Sequence, residues 1–180
     1  MKRILIIATD GFEQSELMEP KARLEEDGAD ITIASLEDGE ITGWKDSNWG
    51  ESVPVDITVE EVSSGDYDAL LLPGGQINPD ILRMNETVIN LIKDFDKADK
   101  PIAAICHAPW LLAEADIVKG KVVTSWPSLR TDLRNAGADV VDREVAVDGN
   151  LITSRNPEDI PAFTAALKDA MAMERIPENA

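Results

Sequence analysis

Three short runs constrain the fold of this chain most, because they are apolar almost throughout: RILIIA (3–8), ALLLP (69–73) and PIAAIC (101–106). A strand has this composition when helices cover both faces of its sheet, whereas a half-exposed strand alternates apolar and polar residues. Segments with helical periodicity separate the runs, at residues 12–27, 86–98, 108–115 and 128–135. This alternation predicts an α/β fold with a doubly wound, mostly parallel sheet.

Shorter strands and a last helix complete the predicted order. The strands are DITIAS (30–35), KVVTS (121–125), VVD (140–142), EVAVD (144–148) and NLITS (150–154). The pair Asp148-Gly149 predicts a hairpin turn between the last two strands. The final helix is predicted from Pro157 to Met173, and a frayed tail follows at IPENA (176–180).

The segment 38–56 departs from the alternating pattern. Two short β-like pieces flank a polar centre that holds Trp44 and Trp49, which predicts a β-hairpin that leaves the main sheet. Exposed tryptophans on a hairpin mark an interface or a pocket rim. The alternative, that these rings cover the edge of the core, stays equally open at this point.

Length and composition set the class of protein. A chain of 180 residues with 43% hydrophobic and 29% charged residues predicts one globular domain over residues 1–180. Its apolar runs are too short for a membrane helix, and the start MKRILIIATDG is a first core strand rather than a signal peptide. The single Cys forbids an internal disulfide, which agrees with a reducing compartment, and we expect a cytoplasmic protein.

The charge and the supply of metal ligands exclude several functions. The formal net charge is −18, and such an acidic surface repels phosphate backbones, so we expect no nucleic-acid partner and no membrane partner. One His and one Cys are too few for a zinc site of usual composition. We therefore expect neither a metal nor another cofactor.

Suggestive residues follow three of the predicted strands directly. TDGFEQSEL follows the first, PGGQINPD follows ALLL, and CHAPW follows PIAAI. Ligands of open parallel sheets bind outside the carboxyl ends of the strands. If these strands are neighbours, the three loops meet at one place and form a site there.

The only cysteine and the only histidine of the chain are adjacent, as Cys106 and His107. A buried strand runs into Cys106 and a helix begins within two residues, which is the context of a nucleophile elbow. Backbone N–H groups there can bind an oxyanion, and the helix dipole is expected to lower the pKa of the thiol. The alternative is an inert core thiol, and adjacency alone does not establish a Cys–His pair.

The other two loops supply glycines and carboxylates. Gly74 and Gly75 let the backbone approach a ligand closely, although a simple strand-ending turn explains them too. Glu13 and Glu16 share one helix face, and helix capping explains them equally well. If one carboxylate lies beside Cys106, the pair is expected to share a proton and to move protons on a carbonyl substrate.

These pieces also occur together in a known family. DGFEQSEL, LLLPGG, AICHAP, TSWP and VDGNLITSRNP appear in order from the first strand to the last helix. The chain resembles the PfpI family, the intracellular-protease-I-like branch of the class I glutamine-amidotransferase-like superfamily. The resemblance implies a flavodoxin-like three-layer sandwich with helices on both faces of the sheet.

The resemblance also implies roles for single residues. Cys106 would be the nucleophile and His107 its partner, with oxyanion donors from the backbone of Gly75 and His107. Glu13 and Glu16 would line the pocket, Glu16 being the better candidate for a hydrogen bond to sulfur. An acidic residue of a neighbouring subunit orients the histidine in oligomeric members, and Asp80 is the matching position, which implies a homodimer or larger homo-oligomer. Gly74, Trp110 and Trp126 would line the pocket, and the two tryptophans, which depart from the family pattern, would narrow it in favour of small substrates.

Three activities are open from the resemblance. The first is a stress-response glyoxalase or deglycase that acts on small reactive dicarbonyls or on glycated protein. The second is an intracellular cysteine peptidase or amidase. The third is a redox sensor or chaperone-like protein in which Cys106 is oxidised.

Overall fold

The computed structural model describes residues 1–173, so the tail predicted at 176–180 lies outside the described residues. Its strands are β1 (Arg3–Ile7), β2 (Phe12–Glu13), β3 (Asp30–Ser35), β4 (Glu40–Lys45), β5 (Asn48–Pro54), β6 (Ile57–Thr58), β7 (Ala69–Leu72), β8 (Ile102–Ile105), β9 (Val122–Val123), β10 (Asp139–Val140), β11 (Ala146–Asp148) and β12 (Leu151–Ser154). Its α-helices are α1 (Gln14–Glu26), α2 (Ile77–Leu82), α3 (Glu86–Lys97), α4 (Pro109–Glu114), α5 (Arg130–Asn135) and α6 (Ile160–Met173). None of these helices is long and apolar enough to cross a membrane.

The main sheet has seven strands in the order β11-β12-β8-β7-β1-β3-β6. The neighbouring strands are parallel except for the hairpin of β11 and β12. This confirms the predicted α/β fold and its mostly parallel sheet. The order β8-β7-β1 also confirms that the three strands with suggestive loops are neighbours.

Helices cover both faces of this sheet, which is why the strands are apolar throughout. Leu5 and Ile7 of β1 pack on one face with α3 and α4. Ile4 and Ile6 of the same strand pack on the other face with α1 and α6. Successive strand residues point to opposite faces, so burial of both faces leaves no polar position in β1 after the exposed Arg3.

The predicted hairpin at 38–56 is confirmed as β4 and β5, which pair antiparallel and form a separate three-stranded sheet with β2. Its turn places Asp46 and Ser47 at positive φ. Trp49 is 52% exposed and meets the edge of Trp44 with ring centroids 5.2 Å apart. Ile41 and Val53 fix the hairpin to the core beside α1.

Four predicted segments differ most from the structure. Helix α2 was predicted as loop, because Pro-Gly-Gly and a further proline are breaker signals. The helix predicted from residue 12 begins at Gln14, because Phe12 and Glu13 pair with β4 instead. The strands predicted at 121–125 and 140–142 shorten to β9 and β10, which pair in a sheet of their own.

Candidate active site

Cys106 occupies a strained turn between β8 and α4. Its φ is +64°, a conformation that costs a residue with a side chain about 1–3 kcal/mol. The Cys106 N–H donates to the carbonyl of Ser154 at 3.0 Å, and the Cys106 carbonyl accepts the Trp126 N–H at 2.9 Å. The turn is therefore held from two sides, and it keeps the side chain at the carboxyl edge of the sheet with 6% exposure.

His107 lies against this thiol. The distance from Cys106 Sγ to His107 Nδ1 is 3.2 Å, which brings together the pair that the sequence left open. Burial lowers the pKa of His107 below its usual value of 6.5. The imidazole is therefore neutral near pH 7 and able to accept a proton.

Glu16 is completely buried on α1, next to the thiol. Its Oε1 accepts the Gly74 N–H at 3.0 Å. Its Oε2 reaches no partner at full hydrogen-bond geometry, although the Cys106 thiol is near enough to stabilise the carboxylate. Burial and the neighbouring Glu13 raise the pKa of Glu16 to about 8, so this carboxyl group is mainly protonated at neutral pH.

The sequence-based expectation for the thiol is wrong in its sign. Burial, followed by the Glu16 carboxylate, raises the pKa of Cys106, whereas the helix dipole was expected to lower it. Helix α4 has only six residues and begins three positions after the thiol, so its dipole is short and distant. Backbone N–H groups of Gly75 and His107 act in the opposite direction and stabilise a thiolate.

Gly74 and Gly75, the two glycines after β7, are required because neighbouring atoms lie too close to their backbone for a side chain to fit. A Cβ on Gly74 would lie 2.6 Å from both Glu16 Oε1 and the Ile105 carbonyl oxygen. Gly75 has φ +85°, and a Cβ there would lie 2.5 Å from the Gly11 carbonyl oxygen. Glycine thus brings the Gly75 N–H to the sulfur, opposite the N–H of His107.

Glu13 lies half-buried at the pocket edge, within reach of the hairpin. Burial and then the charge of Asp46 raise the pKa of Glu13, so the β4–β5 turn lies near the site. The sequence did not identify Asp46, because its position depends on how the hairpin folds over α1. The hairpin was nevertheless predicted as a possible pocket rim, from its tryptophans.

Buried Asn78 was also missed. Its Oδ1 accepts the Thr9 N–H at 2.8 Å, and its Nδ2 donates to the carbonyls of Pro73 and Gly74. Asn78 thereby joins the loop after β1 to the loop after β7. Its position two residues beyond Gln76, in a segment predicted as loop, gave no signal of burial.

Both predicted pocket tryptophans contact His107. The ring centroids of Trp110 and His107 are 5.3 Å apart, and those of Trp126 and His107 are 5.8 Å apart.

Asp80 instead lies exposed on α2, and within residues 1–173 its side chain makes no hydrogen bond or ion pair. Among the same residues no three His, Cys, Asp or Glu side chains are grouped to hold a metal ion, so we assign no metal ligand.

Fold and site together define a flavodoxin-like sandwich with a cysteine at a strand-to-helix elbow, flanked by a histidine and a buried carboxyl group. A family model for the DJ-1/PfpI family matches residues 2–170. The chain belongs to this family, which confirms the resemblance found in the sequence.

Relatives and solved structures agree with this assignment. Deglycase PfpI of Pyrococcus furiosus is 43% identical over 161 residues, which are 89% of this chain and 94% of the relative. Protein/nucleic acid deglycase 2 of Escherichia coli is 39% identical over 163 residues, or 90% of this chain and 93% of the relative. The crystal structure of Drosophila melanogaster DJ-1beta has a TM-score of 0.86 at 31% identity, covering 96% of this chain and 92% of that one.

Proposed function

We propose that this chain is a cysteine-dependent enzyme of the glyoxalase and deglycase type, which acts on small reactive dicarbonyls or on their early protein adducts. The observation that supports it best is the thiol of Cys106, 3.2 Å from a neutral His107 and beside a carboxyl group with a pKa of about 8. Relatives that are named deglycases support the same class of reaction. The lone cysteine fits the reducing cytoplasm as its location.

The first step is addition of sulfur to an aldehyde carbonyl. His107 Nδ1 takes the proton of the Cys106 thiol while Sγ forms a bond to the carbonyl carbon. The π electrons move to the carbonyl oxygen, which receives hydrogen bonds from the N–H groups of Gly75 and His107. Return of the proton from His107 to that oxygen gives a neutral hemithioacetal.

Glu16 performs the second step, a proton transfer between adjacent carbons. A carboxyl group with a pKa of about 8 exchanges protons readily near neutral pH. The ionised fraction removes the proton from the hemithioacetal carbon, which gives an enediolate. The hydroxyl proton passes to the neighbouring oxygen, and Glu16 returns its proton to the neighbouring carbon, which leaves a thioester and a new hydroxyl group. Water then cleaves the resulting thioester, which releases a 2-hydroxy acid and regenerates the thiol.

The walls of the pocket select small substrates. Trp110 and Trp126 lie beside His107, and the hairpin turn with Asp46 lies near Glu13 on another side. These side chains leave less room for an extended peptide than for a three-carbon dicarbonyl. This favours the glyoxalase or deglycase reaction over the peptidase reaction.

Asp80 is proposed to act between copies of the chain. It lies on the exposed face of α2 with Ile77 and Ile81, which are 36% and 40% exposed, and burial of these apolar side chains favours a dimer or larger oligomer. An Asp80 carboxylate from the second copy would bind the outer nitrogen of His107. Light scattering and turnover of Asp80→Asn test this, and a monomeric protein with full activity contradicts it.

Conversion of methylglyoxal to lactate without added thiol tests the proposed function. We expect Cys106→Ser to lose at least about a thousandfold in rate, because it removes the nucleophile. Equal and slow clearance by wild type and variant would refute the enzyme. Turnover of a fluorogenic peptide instead supports the peptidase, and gain of two oxygens at Cys106 in mild peroxide, without any turnover, supports the redox sensor.

A further inference from the structure

Two tryptophans from different segments confine the imidazole of His107. Trp126 stacks on it with an interplanar angle of 21° and centroids 5.8 Å apart. Trp110 meets it edge-on, at 67° and 5.3 Å. We call Trp110 and Trp126 the aromatic bracket, since both rings pack against the imidazole.

Each ring of the bracket is itself held. The Trp110 indole N–H donates to Asp132 Oδ2 on α5 at 3.0 Å, and the Arg83 guanidinium lies over the Trp110 ring at 5.5 Å. Arg83 Nε in turn contacts Glu114 Oε1 at 3.2 Å. The backbone N–H of Trp126 is bonded to the Cys106 carbonyl, so the backbone that carries this second ring is fixed to the elbow.

Hydrogen bonds alone do not orient His107. Within residues 1–173 the imidazole has one side-chain hydrogen-bond partner, the Cys106 sulfur. In many catalytic pairs a third group orients the base through its other ring nitrogen. In the described part of this chain, ring packing is what remains to perform that orientation.

We propose that Asp132 is a positioning residue, which holds Trp110 against His107 so that the aromatic bracket keeps Nδ1 on the Cys106 sulfur within a single copy of the chain. The inference deepens the proposed function and rests on it only for the role of His107 as proton acceptor. Asp132 is exposed and on a different helix from Trp110, so packing of the core does not require its carboxylate. Its indole bond joins α5 to α4 beside the site, where Trp110 also packs against Leu129 and Leu133.

The charges around the bracket do not explain the low pKa of His107. Asp132, Arg83 and Glu114 contact Trp110 or its partners rather than the imidazole, and Glu16 lies beside Cys106. Burial is the cause of the low value. Release of the Trp110 ring admits water to the imidazole, so the pKa of His107 then rises toward its usual value.

The experiment uses the fact that the chain has one His and one Cys. An NMR titration follows the single imidazole, and alkylation by iodoacetamide against pH follows the single thiol. For Asp132→Ala we expect the pKa of His107 to rise by about half a unit and alkylation at pH 7 to slow about fivefold. Asp132→Asn keeps an oxygen acceptor for the indole and restores both values toward wild type.

A second variant removes the same bond from the other side. Trp110→Phe keeps a ring but lacks the indole N–H, so it reproduces both changes, and combination with Asp132→Ala adds nothing further. Asp139→Ala removes another exposed aspartate and leaves both values unchanged. The inference is wrong if Asp132→Ala and Trp110→Phe titrate and alkylate like wild type, or alter only the melting temperature. Because neither measurement uses a carbonyl substrate, both can be interpreted even if the proposed function is wrong.

Discussion

Two neighbouring sites at the carboxyl edge of the sheet differ in whether their acidic side chain has a cationic partner. After β12, Arg155 donates to both oxygens of Asp159 at 2.9 Å and to Asp142 at 3.0 Å. After β8, the neighbouring strand, a buried thiol meets Glu16, which has no cationic partner in the described residues. Paired charges hold the first loop in place, whereas Glu16, the unpaired carboxyl group of α1 beside the second loop, stays protonated and able to exchange its proton.

This difference indicates that the loop after β12 has a structural role and that the loop after β8 is reactive. A buried ion pair stabilises its loop only while both partners are present. A buried carboxyl group without a cation reduces stability at any pH where it ionises, and such costs concentrate at functional sites. The comparison therefore predicts that removal of Asp159 lowers the free energy of unfolding and that removal of Glu16 raises it.

Removal of the acid from the paired loop is expected to reduce stability. Asp159→Ala leaves Arg155, which is partly exposed, with the exposed Asp142 alone, and we expect the free energy of unfolding to fall by about 2 kcal/mol. Chemical denaturation measures this fall, with the exposed Asp169→Ala on the following helix, α6, as the control. Alkylation of Cys106 in the folded variant stays at the wild-type rate. A slower alkylation would show that the two loops are not separate in function.

Glu16→Gln is expected to act with the opposite sign. Since the folded-state pKa is about 8 and the usual value is 4.5, the folded protein keeps a proton that the unfolded chain loses between these pH values. The free energy of unfolding of the wild type therefore falls as pH rises through this window. The amide of the variant cannot ionise, so Glu16→Gln is equal to wild type near pH 4.5 and more stable by up to about 5 kcal/mol above pH 8.

Denaturation of both proteins at several pH values checks this prediction. Only the difference between them matters, because the other titrating groups are the same in both. A constant difference across the window would mean that Glu16 ionises at an ordinary pKa in the folded protein. The contrast between the loops would then lose its physical basis.

Much of the fold was readable from the sequence, because burial of both sheet faces leaves a direct mark on composition. The runs at 3–8, 69–73 and 101–106 correspond to β1, β7 and β8. Helix α2 was not predicted, since it is short and follows two glycines. It is stabilised by Asn78, whose hydrogen bonds reach residues on two other loops.

The sequence predicted only the parts of the site that strand ends and motifs indicate. Parallel strands bring Cys106, Gly75 and Glu16 to one edge, and their loops were predicted to meet there. The contact of His107 with Cys106, the aromatic bracket and the position of Asp46 depend on side-chain directions that no local pattern encodes. The sign of the Cys106 pKa shift was wrong because depth of burial outweighs a short helix dipole.

The central claim is that Cys106 forms a covalent adduct whose onward reaction needs Glu16. The most direct test mixes methylglyoxal with wild type, Glu16→Gln and Cys106→Ser, stops the reaction with acid and measures the intact mass of each protein. We predict that Glu16→Gln accumulates an adduct of one substrate molecule at Cys106, that wild type shows little because it turns over, and that Cys106→Ser shows none. Equal adduct on Cys106→Ser, or none on Glu16→Gln, would contradict the account.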